Sequence, residues 1–153
     1  RTTMRRDMKK KAPRASTITL KRSIAGRTLS AVIPARWDAE VEDYTAAADD
    51  ARAGELAIAV ELARTGPIHG EAFSWMRRCI GLSARKLAEL LDVRHETISR
   101  WENGAAPVDR AAWLVLGDLV LDQAGAHAPT MERAERLTAR KRPPSRTVVA
   151  VAT

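Results

Sequence analysis

Apolar and polar positions first alternate along the chain and then settle into a helical rhythm. Thr17-Ile18-Thr19-Leu20-Lys21 and Thr28-Leu29-Ser30-Ala31-Val32-Ile33 repeat with period two, and Ala25-Gly26 lies between them. This pattern predicts a β-hairpin. A lone hairpin is marginal in water, so it is expected to pack on the following helix or to pair with another chain. Arg36 to Asp50 reads as an irregular acidic loop anchored by Trp37 and Tyr44. From about Ala46 to Thr65 the spacing becomes helical. Leu56, Val60 and Ala63 share a face with Ile58 and Leu62 alongside; Gly54 weakens the middle and Gly66-Pro67 stops the run.

Helical period resumes after His69-Gly70. Phe73, Met76 and Ile80 form a core stripe that leaves Arg77-Arg78 on the exposed side. The stretch from Leu82 to Gly104, LSARKLAELLDVRHETISRWENG, then holds two short amphipathic helices joined by a tight turn. Ser83 suits the N-cap of the first, whose Leu87, Ala88, Leu90 and Leu91 fall at helical spacing. Asp92 stands at the turn and Val93 plugs the corner. The second helix starts near Arg94, with Ile98 and Trp101 pointing one way, and ends at Asn103-Gly104. Asp109 caps a further helix running to about Gln123. Leu114, Val115 and Leu121 widen its apolar face of Trp113, Leu116, Leu119 and Val120. Such breadth fits either a second buried contact, as in a homodimer, or a helix fully buried in its own core. Beyond it a short polar helix is expected around Thr130–Lys141, then a flexible basic tail. Thr147 to Ala152 would form a strand only beside a partner edge.

Two short helices with such a turn form a helix-turn-helix, whose second helix enters the DNA major groove. The spacing resembles the Xre/Cro/cI-type DNA-binding domain over roughly Gly70 to Asp122. Small Ala88 stands at the helix crossing, with Leu87, Leu91, Val93 and Ile98 in the core, then Trp101-Glu102-Asn103-Gly104. Three positions depart from that pattern: Asp92 replaces the usual turn Gly, Ala84 the usual Gln, and Arg94 the usual Ser or Thr. They bear on phosphate contacts and sequence preference, not on the fold. A helical hairpin that touches no DNA is the alternative.

The wider order is hairpin, acidic loop, long helix, Gly70-Glu71-Ala72-Phe73-Ser74-Trp75-Met76-Arg77-Arg78 and helix-turn-helix. From Thr17 to Asp122 it resembles an MqsA-type antitoxin of a type II toxin–antitoxin module. Such proteins carry a small N-terminal domain, often a zinc ribbon with Cys-x-x-Cys pairs, and a C-terminal Xre-type domain. Here Arg36 to Glu42 occupies the place of such a pair, so no structural zinc, other metal or cofactor is expected. The expected fold is mostly α: a C-terminal five-helix Xre/lambda-repressor-like domain after a small β-hairpin and helix. The expected divisions are a disordered basic arm at 1–15, the hairpin–helix region at 16–66, the DNA-binding domain at 67–125 and the tail at 126–153.

Charge sharpens this reading. The chain of 153 residues has net charge +7, which fits an anionic partner. Residues 1–36 hold eleven basic and one acidic side chain, 37–66 two and eight, and 67–104 six and five. The helix-turn-helix is thus nearly neutral, and the acidic 37–66 segment is what an adaptor for a basic toxin would offer. A single cysteine, Cys79, rules out an internal disulfide and reads as a buried inert thiol. No apolar run spans a membrane and no secretory signal is visible, so a soluble cytoplasmic protein is expected.

The resemblance assigns base reading to Glu96 and Arg100, four residues apart on the second helix. Arginine can donate two bonds to guanine, and glutamate can accept from a cytosine amino group. An ion pair between the two is the alternative. Arg94, His95, Thr97 and Ser99 are further groove or phosphate candidates, and Arg85 and Lys86 are phosphate candidates at the start of the first motif helix. Asn103 reads as a cap. No catalytic constellation is visible, so no enzyme is expected. The leading expectation is a repressor that binds a double-stranded DNA operator as a homodimer, autoregulates its operon and holds a cognate toxin. The alternatives are a toxin-neutralising module with weak DNA binding and a stand-alone Xre-type regulator.

Overall fold

A computed structural model of the chain describes residues 16–139 and 142–151; the arm expected at 1–15 lies outside them. Ala25 and Gly26 adopt φ of 49° and 77°. This pair of left-handed residues makes a two-residue turn whose twist matches that of the flanking strands. It joins β1 (Ser16–Ile24) to β2 (Arg27–Asp38) in antiparallel register, from Ile24 opposite Arg27 to Ser16 opposite Ala35. Alternation then gives the sheet two unlike faces. Ile18, Leu20 and Ile24 of β1 and Leu29, Ala31, Ile33 and Ala35 of β2 point toward α1 (Ala48–Thr65). Gly54 permits that contact, because a Cβ there would stand 2.8 Å from Ile33 Cγ2 and 3.2 Å from Leu20 Cδ2. The glycine expected to weaken the helix is where the helix touches the sheet.

The acidic stretch after the hairpin is more regular than its composition predicts. β2 runs on to Asp38, and β3 (Asp43–Thr45) folds back on it with Tyr44 opposite Trp37. Those two rings meet edge to face at 5.3 Å. They anchor each other at the surface, where Trp37 remains 44% exposed.

Four helices follow: α2 (Gly70–Cys79), α3 (Ala84–Leu91), α4 (His95–Glu102) and α5 (Arg110–Ala124). Residues 67–125 therefore hold four helices where five were expected. α1 packs on α2 and α5 from the N-terminal side, and α6 (Thr130–Thr138) on α1 and α5 from the other. One contiguous core results, from Ile24 of the hairpin through Phe73, Met76 and Trp113 to Val149. The broad apolar face of α5 is largely used inside the chain. Ala112, Trp113, Leu116, Val120 and Leu121 are buried, and Val115 remains outside. Trp113 Nε1 is buried without a hydrogen-bond partner among the described residues.

The tail expected to trail off does not do so within the described residues. β4 (Arg146–Val149) pairs in parallel with β2, from Thr28 opposite Arg146 to Ala31 opposite Val149. The partner edge that the sequence left unspecified is the free side of the chain's own β2. One buried arginine secures this return and a second holds α6. Arg27 is 3% exposed and donates to Pro144 O at 3.0 Å, Thr65 Oγ1 at 2.8 Å, Gly66 O at 2.6 Å and Thr147 Oγ1 at 3.0 Å. Burial draws its pKa below the ordinary arginine value, and Glu61 at 3.6 Å opposes that shift. Arg133 of α6 is equally buried; it pairs with Asp118 and donates to Ala63 O and Leu114 O at 3.2 and 3.3 Å. Sequence period had assigned neither arginine a structural role.

Candidate nucleic-acid interface

The motif helices are built as their residues dictate. Ser83 Oγ accepts from the Lys86 amide at 3.0 Å and caps α3. Asp92 ends α3 in the left-handed region at φ 53°, ψ 46°, a conformation an acidic side chain tolerates better than most. Val93 then packs partly buried at the corner, and Ala88, 4% exposed, lies at the crossing of α3 and α4. Ile98 and Trp101 are buried beneath α4, and Trp101 meets Phe73 edge to face at 5.8 Å. Leu90, counted on the apolar face of α3 by spacing, is 52% exposed. The chain leaves α4 as expected: Asn103 Oδ1 accepts from the Ala105 amide at 3.0 Å and Gly104 takes φ 80°.

One ion pair fixes these helices relative to each other, and the sequence had placed one of its members outside. Arg77 of α2 is buried rather than exposed. Its Nε and Nη2 meet the two carboxylate oxygens of Glu102 at 2.5 and 3.0 Å, and its Nη1 donates to Leu82 O at 2.9 Å. The two planar groups match in a fork, which adds direction to the attraction. A single arginine thus ties α2, the loop before α3 and the end of α4. No local signal marks it, because Glu102 lies 25 positions away.

The outer side of this frame gathers the candidate residues. Arg85 and Lys86 are exposed on the first turn of α3; Lys86 pairs with Glu89 at 3.5 Å, both mostly exposed, a contact of little energetic weight. Arg94, His95, Glu96, Ser99 and Arg100 are exposed along α4, and Thr97 is half-buried. Glu96 lies 3.4 Å from His95 Nδ1. The alternative pairing of Glu96 with Arg100 is not formed, and Arg100 makes no ion pair among the described residues. Arg94 is the N-cap residue of α4 and supplies no side-chain bond to it. The first amides of α4 thus lack the acceptor that Ser or Thr would provide. The arrangement offers donors of both kinds for phosphate and base edges, and one carboxylate acceptor, on an eight-residue helix.

Among the described residues, no three His, Cys, Asp or Glu side chains gather as a metal site, and no helix is long and apolar enough to cross a membrane. Cys79 is half-buried on α2, and burial, with Glu55 nearby, pushes its thiol up to about 11.

Residues 76–111 match the helix-turn-helix family. This match covers α3, α4 and the turn between them, and shows an Xre-type helix-turn-helix domain, a DNA-binding module, in this part of the chain. No curated protein and no solved structure matches the chain. The likeness to MqsA-type antitoxins therefore rests on the residues quoted for it.

Proposed function

We propose that the protein is a sequence-specific transcriptional repressor that reads its operator through α4, and that it serves as the antitoxin of a toxin–antitoxin operon. The observation that carries the first part is the outer row of α4, Glu96 and Arg100, standing exposed on a helix-turn-helix frame locked by Arg77 and Glu102. Arg100 reads a base, Glu96 selects by accepting from an amino group, and Arg85, Lys86, Arg94, His95, Thr97 and Ser99 line the groove or the phosphates. A bidentate arginine–guanine contact is worth about 1–3 kcal/mol of discrimination. Arg100→Ala is therefore expected to weaken operator binding roughly ten- to a hundred-fold and to leave scrambled duplex almost untouched. A duplex selected from a random pool by the full chain supplies the operator probe. Equal loss on both duplexes would remove α4 from the role of reader.

The antitoxin part rests on the β2–β3 tip. Trp37 and Val41 are exposed there, 44% and 60%, among Glu40, Glu42 and Asp43. Aromatic and aliphatic anchors rimmed by carboxylates fit a basic protein partner. Co-expression with the product of the neighbouring reading frame tests it: Trp37→Ala with Val41→Asp should abolish co-purification and leave duplex binding unchanged. Homodimerisation belongs to the proposal through operator geometry, since paired half-sites need two copies of α4. Val115 of α5, 41% exposed, is an apolar side chain left for such a contact. Sedimentation that gave monomer alone, with and without the selected duplex, would count against it.

A further inference from the structure

The sheet sorts its cations by face. On the side covered by α1, Arg22 meets Glu55 at 3.1 Å and Arg27 meets Glu61 at 3.6 Å. The opposite side carries Lys21, Arg36 and Arg146, all exposed. None of these three forms an ion pair among the described residues. Among the described residues no helix covers this side, where Val32 and Val148 are 46% and 73% exposed. Hydroxyls stand beside Lys21 and Arg146, and Val32 and Pro34 separate them from Arg36. Lys21 stands opposite Ser30 and Ser23 opposite Thr28, while Thr28 also faces Arg146 across the parallel pairing. Lys21, Thr28, Ser30 and Arg146 line an open cavity of about 400 Å³. Among the described residues of the sheet, carboxylates on this side begin at Asp38 and Asp43, at the β3 end.

Cations beside hydroxyl donors suit phosphate, which takes charge from Lys and Arg and hydrogen bonds from Ser and Thr. The helix-turn-helix itself offers little of that charge, with six basic and five acidic side chains in 67–104. Duplex DNA presents one negative charge per ~1.7 Å of axis, and neutralising it supplies most sequence-independent affinity. The basic segments lie elsewhere. Residues 1–36, with eleven basic side chains and one acidic, lead through β1 into β2, and residues 136–153, with five basic and none acidic, contain β4. Strand β2 is flanked by β1 on one edge and by β4 on the other, so segments far apart in the chain meet on one surface.

We propose that the open face of this sheet is a second DNA-contact surface, one that holds the duplex phosphate backbone without reading sequence. It rests on the DNA-binding function proposed above and assigns the non-specific part of the affinity to a different layer of the fold.

The test uses the full chain with Lys21, Arg36 and Arg146 all changed to Ala, and a random-sequence duplex titrated from 50 to 200 mM salt. Each lost phosphate contact should flatten the plot of log affinity against log salt by about 0.9, so up to about 2.7 for three. The ratio of affinities for selected and scrambled duplex should stay within about two-fold, since no base contact is touched. Because a lost fold would also weaken binding, the gain-of-charge variant Thr19→Lys/Ser23→Lys is measured beside it and should steepen the slope. An unchanged slope in both variants overturns the proposal, as does a triple variant that loses binding to polyglutamate and keeps its duplex slope. The two readings fail separately. A wild-type chain that discriminates no duplex, yet whose salt slope falls in the triple variant, removes the sequence reader and leaves the sheet surface standing.

Discussion

Arg77 and Glu102 illustrate what a side chain does when its partner is remote. Both are nearly excluded from water, 11% and 14% exposed at the side chain, and they bond in a fork. Removing one member leaves the other buried and uncompensated, which typically costs about 3–5 kcal/mol. Glu102→Ala is expected to lose stability in that range by denaturant titration. The double replacement Arg77→Met with Glu102→Leu should recover most of the loss, because no charge is then stranded. Cys79 gives a pH-dependent counterpart. Its thiol is pushed from an ordinary value of 9.0 to about 11 by burial first and Glu55 second. The folded state thus holds this proton more tightly than the unfolded chain. The resulting stabilisation is complete below pH 9 and is lost as pH rises toward 11. The stability difference between wild type and Cys79→Ala should shrink over that window and stay flat from pH 6 to 8.

Secondary structure was most legible where neighbours in sequence are neighbours in space. The hairpin, the long helix and the helix-turn-helix follow from period, caps and turn residues. Ser83 and Asp92 do locally what their chemistry predicts. What could not be read is contact between remote segments. The parallel pairing of β4 has no local signature, and its four residues, Arg146-Thr147-Val148-Val149, look like any short apolar stretch beside a basic run. The buried Arg27 and Arg133 likewise depend on acceptors supplied by other strands and helices. Of the candidate interface, the exposure of α4 was legible, and the pairing that holds it was not. The breadth of α5 was read correctly as a demand for burial but left two ways to meet it; α1, α2 and α6 meet most of it within the chain. Gly54 makes the point testable. Leucine is the better helix former by nearly 1 kcal/mol, so helix propensity alone predicts that Gly54→Leu stabilises. The sheet lies too close for a side chain there, and overpacking a core typically costs about 1–3 kcal/mol. A lower thermal midpoint for Gly54→Leu is the expected result.

Taken together, the fold is a helix-turn-helix domain and a small sheet sharing one core, with the C-terminal segment returning to the sheet. Removing residues 140–153 should therefore affect more than the segment itself. Arg27 would lose its acceptors at Pro144 and Thr147 while Thr65, Gly66 and Glu61 still hold it inside. Buried donors left unmet cost about 1–3 kcal/mol each. The truncated chain is expected to unfold at lower denaturant by at least about 2 kcal/mol, and amide exchange in β2 should accelerate while α3 and α4 keep their protection. Equal protection of β2 with and without the segment would show that β4 adds nothing to the sheet.

The same parallel strand sets the order in which the protein can be assembled on the ribosome. Thr28 and Arg146 sit side by side in the sheet, yet 118 positions of synthesis separate them. At the usual elongation rate of about 5–20 residues per second, one edge of β2 waits roughly 6–24 seconds for its neighbour. Through that interval the nascent hairpin presents an unpaired strand edge that another chain can occupy. The helix-turn-helix, built from contacts close in sequence, can be in place well before the sheet is closed. The sheet thus closes after the helix-turn-helix has been made, and the time between the two events is when this chain is most exposed to pairing with the wrong strand.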